Sequence, residues 1–149
     1  MKHRRRGFTV LELMVVVVVG AVLSQMAIKG FGYVRSQVSA REARTVFGAM
    51  VARTRAQAIE SGQRTLLIAD AQGDSVMIFA NGGVVETIRF GKDLGIDIQG
   101  PPGMTRICMT PRGYANPDCN SFTSPIKLAF VQGPKSDTVE VLPLGQIRW

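Results

Sequence analysis

The sequence predicts an α+β protein: a long N-terminal helix followed by a β-rich antiparallel head. Three observations carry this. Residues 8–28 are apolar with one charge, Glu12, and residues 33–61 resume at a helical period. After Gly62 the pattern becomes short β-branched runs. Between those runs stand Gln72-Gly73-Asp74 and Asn81-Gly82-Gly83, which carry hairpin turn chemistry. The 149 residues, 46% hydrophobic, suit one domain with an appended helix. They divide into a basic leader (1–7), an apolar helix (8–28), an amphipathic helix (29–62) and the head (63–149).

Residues 1–7 hold Lys2, Arg4, Arg5 and Arg6, a charge of +4 out of the chain's +7. The 21 residues that follow would be about 31 Å long as a helix, enough to cross a bilayer core. A basic cluster ahead of such a span stays in the cytoplasm, which places the rest of the chain outside the inner membrane. A secretory signal would end in a small-residue cleavage site; here Ser24-Gln25-Met26-Ala27-Ile28 runs on helically, which suits a retained anchor. Glu12 stands out, because a carboxylate in an apolar span costs roughly 2.5–3.5 kcal/mol on insertion scales. It either snorkels to the nearby interface or meets a cation, such as a freed α-amino group at Phe8 on a neighbouring subunit.

Gly20 and Ser24 form a small-xxx-small pair that suits either close helix contact or a plain lipid-facing helix. Gly30 and Gly32 are poor helix-interior residues and predict a bend. Beyond them Ala43, Val46, Phe47, Met50, Val51 and Ala58 share one stripe. Arg41, Arg44 and Arg55 fall off it and read as a solvated face. The alternatives are contacts with neighbouring subunits, anionic lipid or DNA. Gly62 is the expected helix stop. Strands are expected at Arg64–Ala69, Ser75–Ala80, Val84–Phe90, Thr105–Met109, Ile126–Val131, Thr138–Leu142 and Gln146–Trp149, with a loop over 91–103 containing a short strand at Ile96–Ile98. The C-terminal half of the helix is expected to pack on this sheet region.

The string Arg6-Gly7-Phe8-Thr9-Val10-Leu11-Glu12-Leu13-Met14-Val15-Val16 closely resembles the leader and first helix of type IV pilins and type II secretion pseudopilins. The resemblance implies cleavage by prepilin peptidase between Gly7 and Phe8, N-methylation of Phe8, and an assembly role for Glu12. The mature chain would carry +3. Within that class, Ala52–Gly62, Ile107-Cys108-Met109-Thr110-Pro111-Arg112-Gly113 and Leu144-Gly145-Gln146-Ile147-Arg148 resemble the GspH/FimT branch of minor pilins and pseudopilins. Members often end Gly-Arg-x-Arg, a basic tail linked in related proteins to DNA capture; here Gln146 replaces the first Arg.

Cys108 and Cys119 flank a Pro-Arg-Gly-Tyr-Ala-Asn-Pro loop, and in an oxidising exterior compartment a disulfide is the default. The alternative is a reduced, buried pair.

No enzyme is expected. The lone His3 rules out a histidine-based triad in the remainder of the chain, and two cysteines cannot complete a four-ligand zinc cage. The aspartates Asp70, Asp74, Asp93, Asp97, Asp118 and Asp137 mostly sit beside turns or loops. No nucleotide-binding glycine motif and no cofactor site is present.

The leading expectation is a minor pilin-like structural subunit of a type IV pilus, at its priming or tip complex. Its partners would be other minor and major pilins, the prepilin peptidase and the inner membrane. A GspH-like pseudopilin of type II secretion is the first alternative. The second is a DNA-binding minor pilin using Arg106, Arg112, Lys127, Lys135 and Arg148. Residues 65–149 carry a net charge of −1, which argues against a broad nucleic-acid face there.

Overall fold

A computed structural model describes residues 10–149; inside the first helix the side chains of residues 11, 22 and 25–39 are outside the description. The chain divides into two compact units, residues 1–35 and 36–149.

One helix, α1, spans Val10–Ser61. The chain stays helical through Gly30 and Gly32, the site of the expected bend, and the two units divide a little beyond, at 35/36. Among the described residues no helix is long and apolar enough to cross a membrane. The span expected at 8–28 reaches beyond the described side chains at both ends. At its C-terminus α1 stops where expected: Gly62 adopts φ 64°, a left-handed conformation that glycine takes without a Cβ penalty.

Within residues 36–149, α1 is followed by eight strands: β1 Thr65–Asp70, β2 Ser75–Ala80, β3 Gly83–Arg89, β4 Asp97–Gln99, β5 Met104–Met109, β6 Ile126–Gln132, β7 Lys135–Val141 and β8 Ile147–Arg148. Every expected strand is present, but they form two sheets, not one sheet region. The first has the order β3-β2-β1-β5 and the second β4-β6-β7-β8, all antiparallel. Asn81 and Gly82 both have positive φ, the two-residue turn that matches strand twist, so β2 and β3 form the predicted hairpin.

The third strand is shorter than expected. It stops at Arg89, and Phe90–Leu94 coil into one π-helical turn that ends at Gly95 with φ 66°. Phe90 leaves the strand because it is fully buried: the turn swings its ring inward, 5.6 Å from that of Phe130 on β6. The Phe130 ring also lies 5.7 Å from Phe47 on α1. The expected helix stripe is the helical contribution to the core, with Ala43, Phe47, Met50, Val51 and Ala58 buried and Val46 packed against them. Thr54 is also buried on this face, where its hydroxyl donates to the Met50 carbonyl at 2.7 Å. Helix and both sheets share one core, completed by residues such as Leu67, Ile78, Ile107, Leu128 and Val139.

Asp74 ties the two sheets together. Its carboxylate accepts from the Ile98 N–H of β4 at 2.7 Å, and its carbonyl accepts from the Gly91 N–H at 3.2 Å. Asp74 itself holds φ 44°, which Asp and Asn tolerate better than Ala. Asp74→Ala is therefore expected to cost about 2 kcal/mol, from an orphaned N–H and a strained backbone. Asp74→Asn, which keeps an acceptor, is expected to cost much less. Urea unfolding of residues 36–149 checks this, and equal losses for both variants would contradict it.

Candidate functional site

Two regions carry the functional expectations. Gly7 and Phe8 lie outside the described residues. Glu12 is the acidic residue of the first turn of α1, and its side chain is exposed. Phe8 and Glu12 are four positions apart, the spacing that stacks two residues on one helix face.

The second region is the surface of the head. Arg44 and Arg55 are not part of a bare solvated face. Arg44 donates to the Asp137 carboxylate at 3.0 Å, and its guanidinium lies 5.0 Å from the centre of the Trp149 ring. Arg53 meets both Glu86 oxygens at 2.6 Å, an exposed pair of the kind worth at most about 1 kcal/mol. Arg55 donates to the Gly145 carbonyl at 2.8 Å. Arg41 is exposed, as expected. Helical period assigned these arginines to a side of α1 but could not show that the sheets wrap far enough to meet them.

Arg55 explains the three internal motifs. It belongs to the first and bonds the third through Gly145; the second supplies Gly113, whose α-carbon faces Ile59 and Arg55. A Cβ on Gly113 would sit 3.1 Å from Ile59 Cδ1, and one on Gly145 would sit 2.8 Å from Met109 Cε. Both glycines also have positive φ. The Ala115 N–H donates to the Leu144 carbonyl at 3.0 Å, closing the junction. The three segments thus converge on one packing junction between helix end, mid-domain loop and C-terminal turn.

Cys108 and Cys119 are joined by a disulfide, with α-carbons 5.7 Å apart. The bond pins the 116–121 loop along the outer edge of β5. The Asn116 N–H donates to the Cys108 carbonyl, the Cys108 N–H to Asn120 Oδ1, the Ser121 N–H to the Arg106 carbonyl and the Arg106 N–H to Ser121 Oγ. Four strand-edge groups are satisfied in this way without a further strand.

The five basic residues considered for DNA do not gather. Arg106 lies on β5 of the first sheet, Arg112 in the turn before Gly113, and Lys135 at the start of β7, far along that strand from Glu140. Lys127 and Arg148 are brought together, across the register Lys127–Glu140–Arg148. Glu140 stands between them, with Arg148 Nη1 3.4 Å from its carboxylate. With Thr138 and the exposed Trp149, these residues line an open cleft of about 360 Å³. Among the described residues no three His, Cys, Asp or Glu side chains cluster to hold a metal ion.

Residues 2–28 match the prokaryotic N-terminal methylation motif. The fold is similar to that of the type IV minor pilin FimU of Pseudomonas aeruginosa (strain PAO1), seen in two crystal forms. One gives a TM-score of 0.51 with 16% identity, over 76% of this chain and 86% of that one. The other gives 0.50 with 17% identity, over 75% and 90%. The likeness to pilins thus rests on the motif over residues 2–28 and on a shared fold. At such identities the likeness between this chain and FimU is one of fold. No curated protein matches this sequence. The segments that resemble the GspH/FimT branch are the ones that build the Arg55 junction.

Proposed function

We propose that this chain is a minor pilin, a non-enzymatic structural subunit of a type IV pilus working in the priming or tip complex. In this reading prepilin peptidase cuts between Gly7 and Phe8 and methylates the new terminus. That removes the +4 leader and creates a cationic amine at Phe8. Until assembly, the apolar helix of residues 8–28 holds the chain in the inner membrane with its head in the periplasm.

The observation that supports this most is the spacing of Phe8 and Glu12 inside the matched methylation motif. In a filament, helices leave lipid and pack side by side. A Glu12 carboxylate in that apolar core needs a compensating cation, because an unpaired buried charge costs several kcal/mol. The Phe8 amine of an adjacent subunit, offset by about one helical turn of 5.4 Å, supplies it. The partners are then other minor and major pilins.

The test has two parts. Co-expressed with a prepilin peptidase, the chain is expected to begin at Phe8, and a bulky Gly7→Leu variant to stay uncut. Glu12→Ala is expected to be cut normally yet to enter filaments at least tenfold less than wild type. Equal incorporation of Glu12→Ala, or a mature form retaining Met1, refutes the proposal. A type II pseudopilus would use the same chemistry, and co-purification with pilins rather than pseudopilins separates the two systems. In the DNA alternative, Lys127 and Arg148 would act from either side of the Glu140 carboxylate.

A further inference from the structure

The head has four sheet edges, and three of them are closed or short. On β5, the backbone groups of Arg106 and Cys108 are taken by the 116–121 loop. On β4, the outward Ile98 N–H is capped by Asp74. β8 is two residues long. The fourth edge, β3, runs for seven residues.

Antiparallel alternation shows which β3 groups point outward. Because Arg106 and Cys108 face away from β1, the bonded pair between them is Ile107–Leu67. Ile68 then bonds Met77, and Ile78 bonds Glu86. Thr87 and Arg89 therefore direct their N–H and C=O groups outward, with Val85 as the extra residue of a bulge. Among the described residues nothing pairs with these groups. Val84 and Val85 are 52% and 56% exposed, which leaves apolar side chains along the same open edge.

We propose that β3 is a pairing edge for a second copy of this chain, the two strands joining antiparallel with Thr87 on the two-fold axis. In this register Thr87 faces its own counterpart, Val85 faces Arg89 and Glu86 faces Ile88. The outward groups of Thr87 meet their own counterparts, Arg89 lies opposite the bulge at Val85, and no like charges oppose. Thr–Thr pairs are among the favourable cross-strand pairs. Sliding the strands so that Val85 faces Thr87 would set Glu86 against Glu86, which like-charge repulsion disfavours. Sliding the other way runs the partner into the π-helical turn at Phe90–Leu94. Glu86 enters the joint already paired with Arg53. The strand is thus self-complementary, and an isologous contact needs no other protein.

The experiment uses the full chain in detergent micelles. The two native cysteines are bonded to each other, so one introduced thiol is the only free one. Directly opposed residues of a hydrogen-bonded pair have α-carbons about 5.5 Å apart, within disulfide range. Thr87→Cys alone is expected to form a cross-linked dimer in high yield. Val85→Cys and Arg89→Cys are expected to cross-link when mixed, and each several-fold less when alone. Thr87→Pro removes an outward N–H without touching the β2 ladder, so it should weaken dimerisation at least tenfold at unchanged melting temperature. A wild-type chain that is monomeric at tens of micromolar, or Thr87→Cys linking no better than Val85→Cys alone, overturns the proposal. So does capture of the introduced thiol solely by a different protein. Cleavage at Gly7–Phe8 and the Glu12 phenotype are read separately, so this proposal and the assembly role fail independently.

Discussion

Phe130→Ala is expected to destabilise the head by about 3–5 kcal/mol, the usual cost of removing a fully buried aromatic ring. Phe130 is 0% exposed and sits in the shared core. Its ring touches Phe47 from α1 and Phe90 from the π-helical turn, while its strand, β6, lies between β4 and β7. Truncation removes both ring contacts and leaves a cavity that two neighbouring sheets cannot collapse to fill. Against a typical total of 5–15 kcal/mol, this is a large share of the stability. Residues 36–149 hold all the buried hydrophobic residues identified, so urea unfolding of that unit is the measurement. The midpoint should fall while the slope stays constant. Phe130→Leu, which retains most of the volume, should lose less than half as much. A loss below about 1 kcal/mol for the alanine variant would mean that the ring is not the centre of this core.

The second large effect concerns the disulfide. Replacing both Cys108 and Cys119 by Ala is expected to cost about 3 kcal/mol, from the chain-entropy value for a loop of this length. The position of the bond adds a local signature. The 116–121 loop covers the β5 edge only while Cys119 is held at Cys108, so the Arg106 and Cys108 amides should lose hydrogen-exchange protection. The Ile107 amide, which bonds β1, should keep its own. Dithiothreitol treatment should reproduce the pattern. Persistent protection at residues 106 and 108 in the double variant would show that the loop holds the edge without its staple.

Some features were legible along the chain because they depend on local chemistry. The methylation motif over residues 2–28 is a linear string, so Gly7, Phe8 and Glu12 need no tertiary contact to be noticed. Helix period, the Gly62 stop and the Asn81-Gly82 turn follow from backbone preferences within a few residues. Nearly every strand was found for the same reason. What local chemistry missed were long-range decisions. Phe90 continued an apolar alternation and looked like strand, yet its burial against Phe130 coiled the chain into a turn. Arg44 and Arg55 looked solvated, because the Asp137 carboxylate and the Gly145 carbonyl that meet them are 93 and 90 residues distant. The basic residues considered for DNA are similar in type but scattered by topology, and no spacing rule reveals that Glu140 separates Lys127 from Arg148.

The linear order of residues was thus enough to find the methylation motif, a helix-then-strands architecture and a bonded cysteine pair, since each is encoded by neighbours or by composition. Folding in three dimensions settled how eight strands divide into two sheets, which arginines are tethered, and which edge stays open at β3. The physical reason is range: backbone preferences act over a turn or two, whereas edge closure, ion pairing and core packing depend on groups that meet only after the chain has closed on itself.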